Sequence, residues 1–227
     1  MQVEAPVITL DGPGGAGKGT VSTLLAERLG WQFLDSGALY RLTALAAMNH
    51  AIDMTNESGL AVVAEHLDVS FLQNDGRTVI MLENDDVTES IRSEKVGSNA
   101  SKVAAFSRVR DALLKRQRAF AVMPGLVADG RDMGTVVFTQ AELKIFMTAT
   151  SDERARRRVA QLLASGVNAD FEQVKADIEE RDERDMNRKT APLVPAEDAI
   201  ELDTTEMPIE AVVRFIEQEA KARGLMS

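Results

Sequence analysis

The sequence predicts an α/β protein with a mainly parallel sheet of about five strands covered by helices. Two observations lead to this prediction. Short apolar runs alternate with stretches in which apolar residues recur at helical spacing, which is typical of a parallel sheet. A glycine-rich loop also follows the first apolar run and precedes the first helical stretch. Such sheets bind ligands at the carboxyl ends of their strands, so the polar residues that follow each strand are candidates for function.

The first apolar run, residues 7–10, leads into a glycine-rich loop at residues 12–20. The loop reads G-x-x-x-x-G-K with a threonine one place later, which is the pattern of a phosphate-binding P-loop. Strand, loop and helix in this order direct backbone N–H groups and a helix N-terminus towards an anion. Lys18 is expected to reach the terminal phosphates as a point charge, and Gly30 to end the helix.

Further strands alternate with helices along the rest of the chain. The strands are predicted at residues 31–34, 126–128, 143–147 and 199–202, and helices at residues 38–49 and 107–120. Ser107 is expected to cap the second of these helices, and Thr150 with Glu153 to form a capping box for the next one. The last helix is predicted to have Pro208 in its first turn.

Residues 62–100 interrupt this alternation. The strand-like segments 68–72 and 77–83 flank Asn74-Asp75-Gly76, a strong hairpin-turn signal. Adjacent antiparallel strands do not belong in a βαβ series. We therefore predict a small antiparallel insert within one domain that spans residues 1–227.

Polar residues follow the third core strand in the run Ala-Asp-Gly-Arg-Asp-Met-Gly, residues 128–134. Asp129 is where a magnesium-organising carboxylate is expected beside a P-loop strand. A plain polar turn would use the same residues, so that interpretation stays open. Arg131 favours a functional role over a plain turn, because a cation at the carboxyl edge of the sheet is suited to bind a second phosphate.

The segment after the second strand offers a hydroxyl, an aromatic ring and a guanidinium near the same edge, in Ser36, Tyr40 and Arg41. Simple helix capping by Asp35 or Ser36 is the alternative, and both interpretations can hold at once.

Arginines are concentrated between residues 154 and 188. A solvated helix with i,i+4 ion pairs explains about half of such a run. The turn at residues 165–168 makes the segment a helical hairpin. A mobile, arginine-rich hairpin in a P-loop protein suits a lid, and we predict one at residues 154–188.

Composition excludes several classes of protein. The net charge of −10 argues against a general nucleic-acid binder, and the absence of cysteine excludes disulfides and thiolate metal sites. No apolar run reaches membrane-spanning length, and the start of the chain lacks a basic signal-peptide region. We therefore expect a cytoplasmic protein with neither nucleic-acid nor membrane partners.

Together these motifs resemble the bacterial cytidylate kinase family. The resemblance rests on residues 12–20, 34–41, 128–138 and 181–188, which occur in the family's order, and it covers essentially the whole chain. The run at residues 129–138 is the most specific part. Gly14 departs from the serine that is more usual in the family, and a loop lined by backbone is expected to tolerate this difference.

The resemblance implies reversible transfer of the ATP γ-phosphate to CMP or dCMP, with Mg²⁺ accompanying ATP. We expect the protein to be a monomer. The insert would be the part that binds the nucleoside monophosphate. The catalytic residues would be Lys18, Arg131 and Arg188. ATP would be bound by Gly12, Pro13, Gly14, Gly15, Ala16, Gly17, Lys18, Gly19, Thr20, Arg157 and Arg158. CMP would be bound by Ser36, Tyr40, Arg41, Ser101, Arg110, Arg131, Asp132, Arg181, Asp185 and Arg188. No residue is assigned as a direct metal ligand, and Thr20 and Asp129 are candidates that would act directly or through water.

Within the second set, the resemblance gives cytosine recognition to Ser101, Arg110 and Asp132. The alternative role for Asp132 is to help Asp129 organise Mg²⁺. It gives the sugar to Arg181 and Asp185. Arg41, Arg131 and Arg188 would hold the CMP phosphate, in a site lined by Ser36 and Tyr40.

Two other functions remain open from the residues alone. One is a P-loop kinase for another acceptor, such as UMP, AMP or a metabolite hydroxyl, the last of which would need a protein base. The other is a nucleotide-dependent switch, although the chain has neither an Asn-Lys-x-Asp nor a Leu-Ser-Gly-Gly-Gln motif. A phosphate acceptor is already anionic at neutral pH and needs no base.

Overall fold

A computed structural model describes residues 5–74 and 77–226, and it confirms the predicted α/β class. The chain divides into two compact units. Met1–Asp35 and Gln117–Ser227 form the first unit, and Ser36–Arg116 forms the second unit. The predicted insert, residues 62–100, falls within the second unit.

The described part of the chain contains eight strands and eight α-helices. The strands are β1 (Val7–Asp11), β2 (Gln32–Asp35), β3 (Val69–Asn74), β4 (Arg77–Leu82), β5 (Asp85–Asp86), β6 (Leu126–Asp129), β7 (Leu143–Thr148) and β8 (Ile200–Asp203). The helices are α1 (Lys18–Leu29), α2 (Ser36–Asn49), α3 (Glu57–Glu65), α4 (Glu94–Val103), α5 (Ser107–Arg118), α6 (Ser151–Ala164), α7 (Phe171–Asn187) and α8 (Ile209–Ala222). A 3₁₀ turn spans Ser90–Arg92, and a π-helix spans Met133–Val137.

All five strands of the first unit's sheet run parallel, in the order β2-β6-β1-β7-β8. All five predicted core strands are confirmed, with boundaries that differ by one residue or not at all. Strand β1 is central and buried along its whole length, which explains its continuous apolar character. The central position of β1 brings the loop that follows it to the middle of the sheet's carboxyl edge.

Helices α1 and α8 pack against the sheet through one apolar cluster. Its fully buried members include Leu25 of α1, Ile216 of α8 and Ile8 of β1. Gly30 ends α1 with a left-handed backbone, φ 65°, as predicted. Pro208 is the N-cap of α8, one residue before the predicted first turn.

Two predicted helix caps need correction. Ser107 is the first residue of α5 rather than its N-cap, and its hydroxyl donates to Glu57 Oε1. Glu57 supplies the cap instead, because the same oxygen accepts from the free backbone N–H of Arg108. At α6 only half of the capping box forms: Thr150 accepts from the Glu153 N–H, whereas the Glu153 carboxylate binds arginines of its own helix.

The second unit combines α2 to α5 with an antiparallel sheet in the order β3-β4-β5. The predicted pair of antiparallel strands is therefore confirmed, and it continues into a short third strand. The predicted turn includes Asp75 and Gly76, which lie outside the described residues. Helices α3 and α4 were not predicted from the sequence. Neither described histidine of this unit is part of a metal-ligand cluster, and His50 instead lies 2.7 Å from Glu83.

Helices α6 and α7 of the first unit form a hairpin, with Gly166 in the left-handed region at its turn. Lys175 pairs with Asp152 across it, and Ser151 donates to Glu179. Within the described ranges, no helix has the length and apolar character needed to cross a membrane.

Candidate active site

The P-loop occupies the turn between β1 and α1, as the sequence predicts. Gly12 has φ +142°, and a Cβ there would lie 2.0 Å from the Met147 carbonyl oxygen of β7. Gly17 is the left-handed N-cap of α1. Only glycine can occupy the first position, because the loop backbone passes directly against the neighbouring strand.

Lys18 is the first residue of α1, and only 5% of it is exposed. Its Nζ donates to the Pro13 carbonyl oxygen at 3.0 Å, which turns the ammonium back over the loop. Asp129 Oδ1, at the end of β6, lies 3.7 Å away. The structure thus brings together two residues that sequence analysis had singled out separately.

Burial changes the pKa of both partners in this pair. Burial, aided by nearby Arg131, lowers the pKa of the Lys18 ammonium, while Asp129 and Asp11 oppose the change. Burial also raises the pKa of the Asp129 carboxyl, and the Lys18 charge partly compensates. Each group therefore stabilises the charged form of the other, and anionic phosphates near Lys18 would strengthen its ammonium form further.

Guanidinium groups surround the loop. A Cβ built on Gly14 would lie 3.3 Å from Arg131 Nη2 and 3.7 Å from Arg181 Nη1. Arg157 Nη1 lies 3.8 Å from the corresponding position on Gly17. This concentration of positive charge at a helix N-terminus, in a chain of net charge −10, is suited to polyphosphate.

Arg131 and Asp185 form an ion pair between the turn after β6 and α7, with Arg131 Nε donating to Asp185 Oδ2 at 3.1 Å. Burial alone would raise the pKa of the Asp185 carboxyl. The charges of Arg131, Arg181 and Arg188 outweigh that effect and keep the pKa below its usual value. Arg188 is 9% exposed, and its Nε donates to the Ala191 carbonyl. Four residues of the predicted CMP set are therefore neighbours in the first unit: Arg131, Arg181, Asp185 and Arg188.

Arg154 is a structural residue that sequence analysis counted only as part of the charged run. It is 5% exposed and donates to three acceptors: the Ala149 carbonyl, the Gly14 carbonyl at 3.1 Å and the Asp182 carboxylate. Arg154 thus joins the base of the α6–α7 hairpin to the P-loop backbone. Burial distinguishes Arg154 from the other arginines of the hairpin. The sequence does not show which arginine is buried, because charged residues are spread along the whole segment.

The other arginines of α6, together with Arg184 of α7, differ in whether they bind only within the hairpin or also outside it. Arg156 and Arg184 make surface pairs with Glu153 and Glu180 at helical spacing, as the solvated-helix interpretation predicts. Arg157 also binds Glu153, but its Nη2 donates to the Thr204 carbonyl after β8 at 2.8 Å. Arg158 donates to Gln161 on its own helix.

The predicted substrate residues of the second unit are also neighbours of one another. The Arg110 guanidinium lies over the Tyr40 ring, 5.5 Å from its centroid, and donates to the Ala104 carbonyl. Arg41 donates to the Ile91 carbonyl at 2.9 Å and lies against Gly97 of α4. Ser101 is buried one helical turn after Gly97, on the same face of α4. Ser36 is the buried first residue of α2.

Asp132 and Asp11 are two further buried carboxylates near the turn after β6. Asp132 is 2% exposed and directly precedes the π-helix. Asp11, the last residue of β1, accepts from the backbone N–H groups of Met133 and Gly134. Asp11 was not singled out from the sequence, although a charged residue at the end of a buried, largely apolar strand was a signal for it.

Hard oxygen donors lie where a magnesium ion bound to nucleotide would be expected. Asp129 Oδ2 is 3.5 Å from the position of a Cβ on Gly19, so the carboxylate faces the start of α1 beside the exposed Thr20. Asp35 is the register partner of Asp129 on β2. No cluster of three or more His, Cys, Asp or Glu suited to a metal occurs in the described residues. This donor set fits Mg²⁺, which binds one or two carboxylates and keeps waters and phosphate ligands.

A buried lysine, backbone N–H groups and several arginines can neutralise two phosphate groups at once, so the fold and site define a phosphotransferase of the P-loop kinase class. Comparison with known proteins gives the family. The cytidylate kinase family profile matches residues 8–222, and the chain belongs to that family.

Curated relatives agree over nearly the whole length. The cytidylate kinase of Stutzerimonas stutzeri is 61% identical over 222 residues, 97% of each chain. That of Pseudomonas aeruginosa is 59% identical over 226 residues, 99% of each chain. That of Serratia proteamaculans is 58% identical over 214 residues, 94% of this chain and 93% of the relative. Among solved structures, a shikimate kinase from Bacteroides thetaiotaomicron is 14% identical with a TM-score of 0.47, over 95% of this chain and 98% of that one, a likeness too remote to indicate a substrate.

Proposed function

We propose that this chain transfers the γ-phosphate of ATP reversibly to CMP or dCMP, giving ADP and CDP or dCDP. The observation that carries the proposal is Lys18 in an intact P-loop, in a chain of the cytidylate kinase family. A kinase for another acceptor and a nucleotide switch are both less well supported, because the family match spans residues 8–222 and its relatives carry the cytidylate kinase name.

Catalysis in this proposal consists of positioning and charge neutralisation. The acceptor phosphate is anionic at neutral pH, so no protein base has to remove a proton. The difficulty is to bring two anions together in line, and fixed cations in a water-poor site reduce that barrier. Lys18 neutralises charge that develops on the transferring group, while Arg131 and Arg188 hold the acceptor phosphate.

The proposed ATP site consists of the P-loop backbone, residues 12–20, with Arg157 and Arg158 contributed by α6. Arg157 supports this role, because its guanidinium lies near Gly17 at the start of α1. Thr20 and Asp129 would hold Mg²⁺, either directly or through water. When bound, the ion would neutralise charge on the phosphate oxygens of ATP.

The proposed roles in binding CMP follow the two units. In the first unit, Asp132 reads the cytosine amino group, and Arg181 with Asp185 binds the sugar. In the second unit, Ser101 and Arg110 contact the base. Arg41 binds the phosphate, and Ser36 and Tyr40 line that site. The ion pairing of Arg131 with Asp185 and the contact of Arg110 with Tyr40 support these groupings.

Steady-state ADP formation from ATP with CMP, dCMP, UMP and AMP in turn tests the proposal. CMP and dCMP are expected to give the highest kcat/KM. Comparable rates with all four would contradict a cytidylate-specific site, and ATP hydrolysis that ignores every acceptor would favour a switch. Lys18→Ala is the control for contaminating kinases.

Base reading by Asp132 has its own test. A carboxylate accepts from the cytosine amino group and repels the uracil oxygen, so Asp132→Asn should lower kcat/KM for CMP and narrow the CMP/UMP ratio. If Asp132 organises Mg²⁺ instead, both rates fall together and the Mg²⁺ dependence shifts. An unchanged ratio would therefore refute base reading.

We also propose that the protein acts as a monomer in the cytoplasm, where ATP and CMP are available. Light scattering at working concentration tests the first point, and fractionation of the source cells tests the second.

A further inference from the structure

Asp11 connects the two segments on which the proposed reaction depends. It ends β1, and its backbone continues directly into Gly12, the first residue of the P-loop. Its side chain reaches the turn after β6. Asp11 Oδ1 accepts from Met133 N at 2.8 Å, and Oδ2 accepts from Gly134 N at 2.7 Å.

The two donors follow immediately after Arg131 and Asp132. Met133 and Gly134 open the π-helix, and such helices are common at functional sites. The Asp11 side chain therefore holds the backbone that directly follows Asp132. Asp11 itself directly precedes the P-loop. The distance between these two segments decides how the donor and acceptor phosphates meet.

We propose that Asp11 is a positioning residue that holds the Arg131–Asp132 turn in register with the P-loop. The inference rests on the proposed function, since it concerns the alignment of phosphoryl donor and acceptor. Asp11 contacts neither nucleotide in this scheme. It acts through the backbone that carries the acceptor-binding side chains.

Only a carboxylate meets this geometry. Two backbone N–H groups arrive at two separate oxygens, and an ionised carboxyl group offers an acceptor at each. The amide of asparagine would satisfy one N–H and direct its own NH₂ at the other. Charge-assisted bonds of this kind are about twice as strong as neutral ones.

The surroundings of Asp11 leave little freedom. It is 5% exposed, and the charged groups that act on it are Lys18, which favours the carboxylate, and Asp132, which opposes it. A Cβ on Gly134 would lie 3.3 Å from Asp11 Oδ2 and 3.1 Å from both Thr9 Oγ1 and Lys144 Cδ. Glycine at position 134 is thus what allows the turn to approach the carboxylate closely.

Three variants test the inference in the whole protein at about pH 8, where the carboxyl group is ionised. Asp11→Asn removes one acceptor. Gly134→Ala changes the other partner of the contact, because the added methyl group pushes the turn after β6 away from the Asp11 carboxylate. Thr9→Val is the matched control, because Thr9 lies on the same face of β1 and its buried hydroxyl has no hydrogen-bond partner in the described part of the chain.

A displacement of the acceptor turn by about 1 Å is expected to cost roughly 100-fold in kcat/KM for CMP. Asp11→Asn and Gly134→Ala should both show this loss, as a raised KM for CMP with a lowered kcat. In Gly134→Ala, which leaves the Asp11 charge beside Lys18 in place, the Kd for ATP should stay within about threefold, because a change confined to the acceptor side costs well under 1.4 kcal/mol of ATP binding. Thr9→Val should match the unmodified protein in kcat, in the KM for CMP and in the Kd for ATP.

A merely structural role predicts a different outcome. The variants would then lose thermal stability and active fraction but keep the KM for CMP, and that result overturns the inference. If Asp11→Asn does not fold, Gly134→Ala carries the same test from the other partner.

Hydrogen exchange of the free protein separates this inference from the proposed function. The backbone N–H groups of residues 133–134 should exchange faster in Asp11→Asn than in Thr9→Val, whether or not CMP is a substrate. Equal exchange refutes the positioning role. An unmodified protein that fails to phosphorylate CMP while the exchange difference persists refutes the proposed function alone.

Discussion

Replacing Asp11 by asparagine is predicted to change how stability depends on pH. Burial is the largest influence on this carboxyl group and Asp132 adds to it, and together they raise its pKa from 3.8 to about 7, against the two backbone donors and Lys18. The folded protein therefore keeps a proton between about pH 4 and pH 7 that the unfolded chain has already lost. Because the unfolded state binds fewer protons in that window, the free energy of unfolding falls as pH rises through it.

The magnitude follows from the size of the shift. About three pKa units correspond to about 4 kcal/mol across the window, or about 1.4 kcal/mol per pH unit at its steepest. Asparagine does not titrate, so Asp11→Asn should lose this component. The free energy of unfolding of the unmodified protein minus that of Asp11→Asn should decrease by a few kcal/mol from about pH 4 to pH 7.5.

Urea unfolding followed by circular dichroism, in buffers of constant ionic strength, measures this difference. The other titrating groups are shared by both proteins, so they largely cancel in the comparison. Thr9→Val should run parallel to the unmodified protein at every pH. If the curves for Asp11→Asn and the unmodified protein are also parallel, the reasoning about burial is wrong. A difference that grows with pH would mean that the hydrogen bonds outweigh desolvation.

Three further predictions concern the proposed catalytic residues and the proposed lid. Lys18→Ala should fold normally and lose on the order of a hundredfold or more in kcat, as when one fixed electrostatic contact is removed, whereas activity within a few-fold of normal would exclude the P-loop role. Arg131→Lys and Arg188→Lys keep the charge but lose the planar fork, so each should impair turnover of CMP while the affinity for ATP, measured by calorimetry, stays near normal; the reverse pattern would place them in the ATP site. Residues 154–188 should exchange amide hydrogens quickly in the free protein and slowly with a bisubstrate analogue, most clearly near the turn at residues 165–168, and equal protection in both states would remove the lid from the mechanism.

The local pattern of the sequence was sufficient for the sheet and the P-loop. Each core strand is a short apolar run, and the loop needs glycines with a lysine at fixed spacing, so neighbours in sequence carry the information. The same reasoning predicted ion pairs at helical spacing for about half of the arginines in the hairpin, and Arg156 and Arg184 make such pairs with glutamates three and four residues away. It missed α3, in which five apolar residues follow one another without helical spacing. It also missed α4, although Val96, Ala100 and Val103 recur there at helical spacing.

Tertiary structure decided which charged residues turn inward. Arg154 and Arg156 lie on one helix two residues apart, yet only Arg154 is buried, and its partners are Gly14 and Asp182. Asp11 meets its two donors 122 and 123 residues further along the chain. Contacts over such separations leave no periodic signature in the sequence. They exist because parallel strands place their carboxyl ends side by side, where polar groups taken out of water have to find one another.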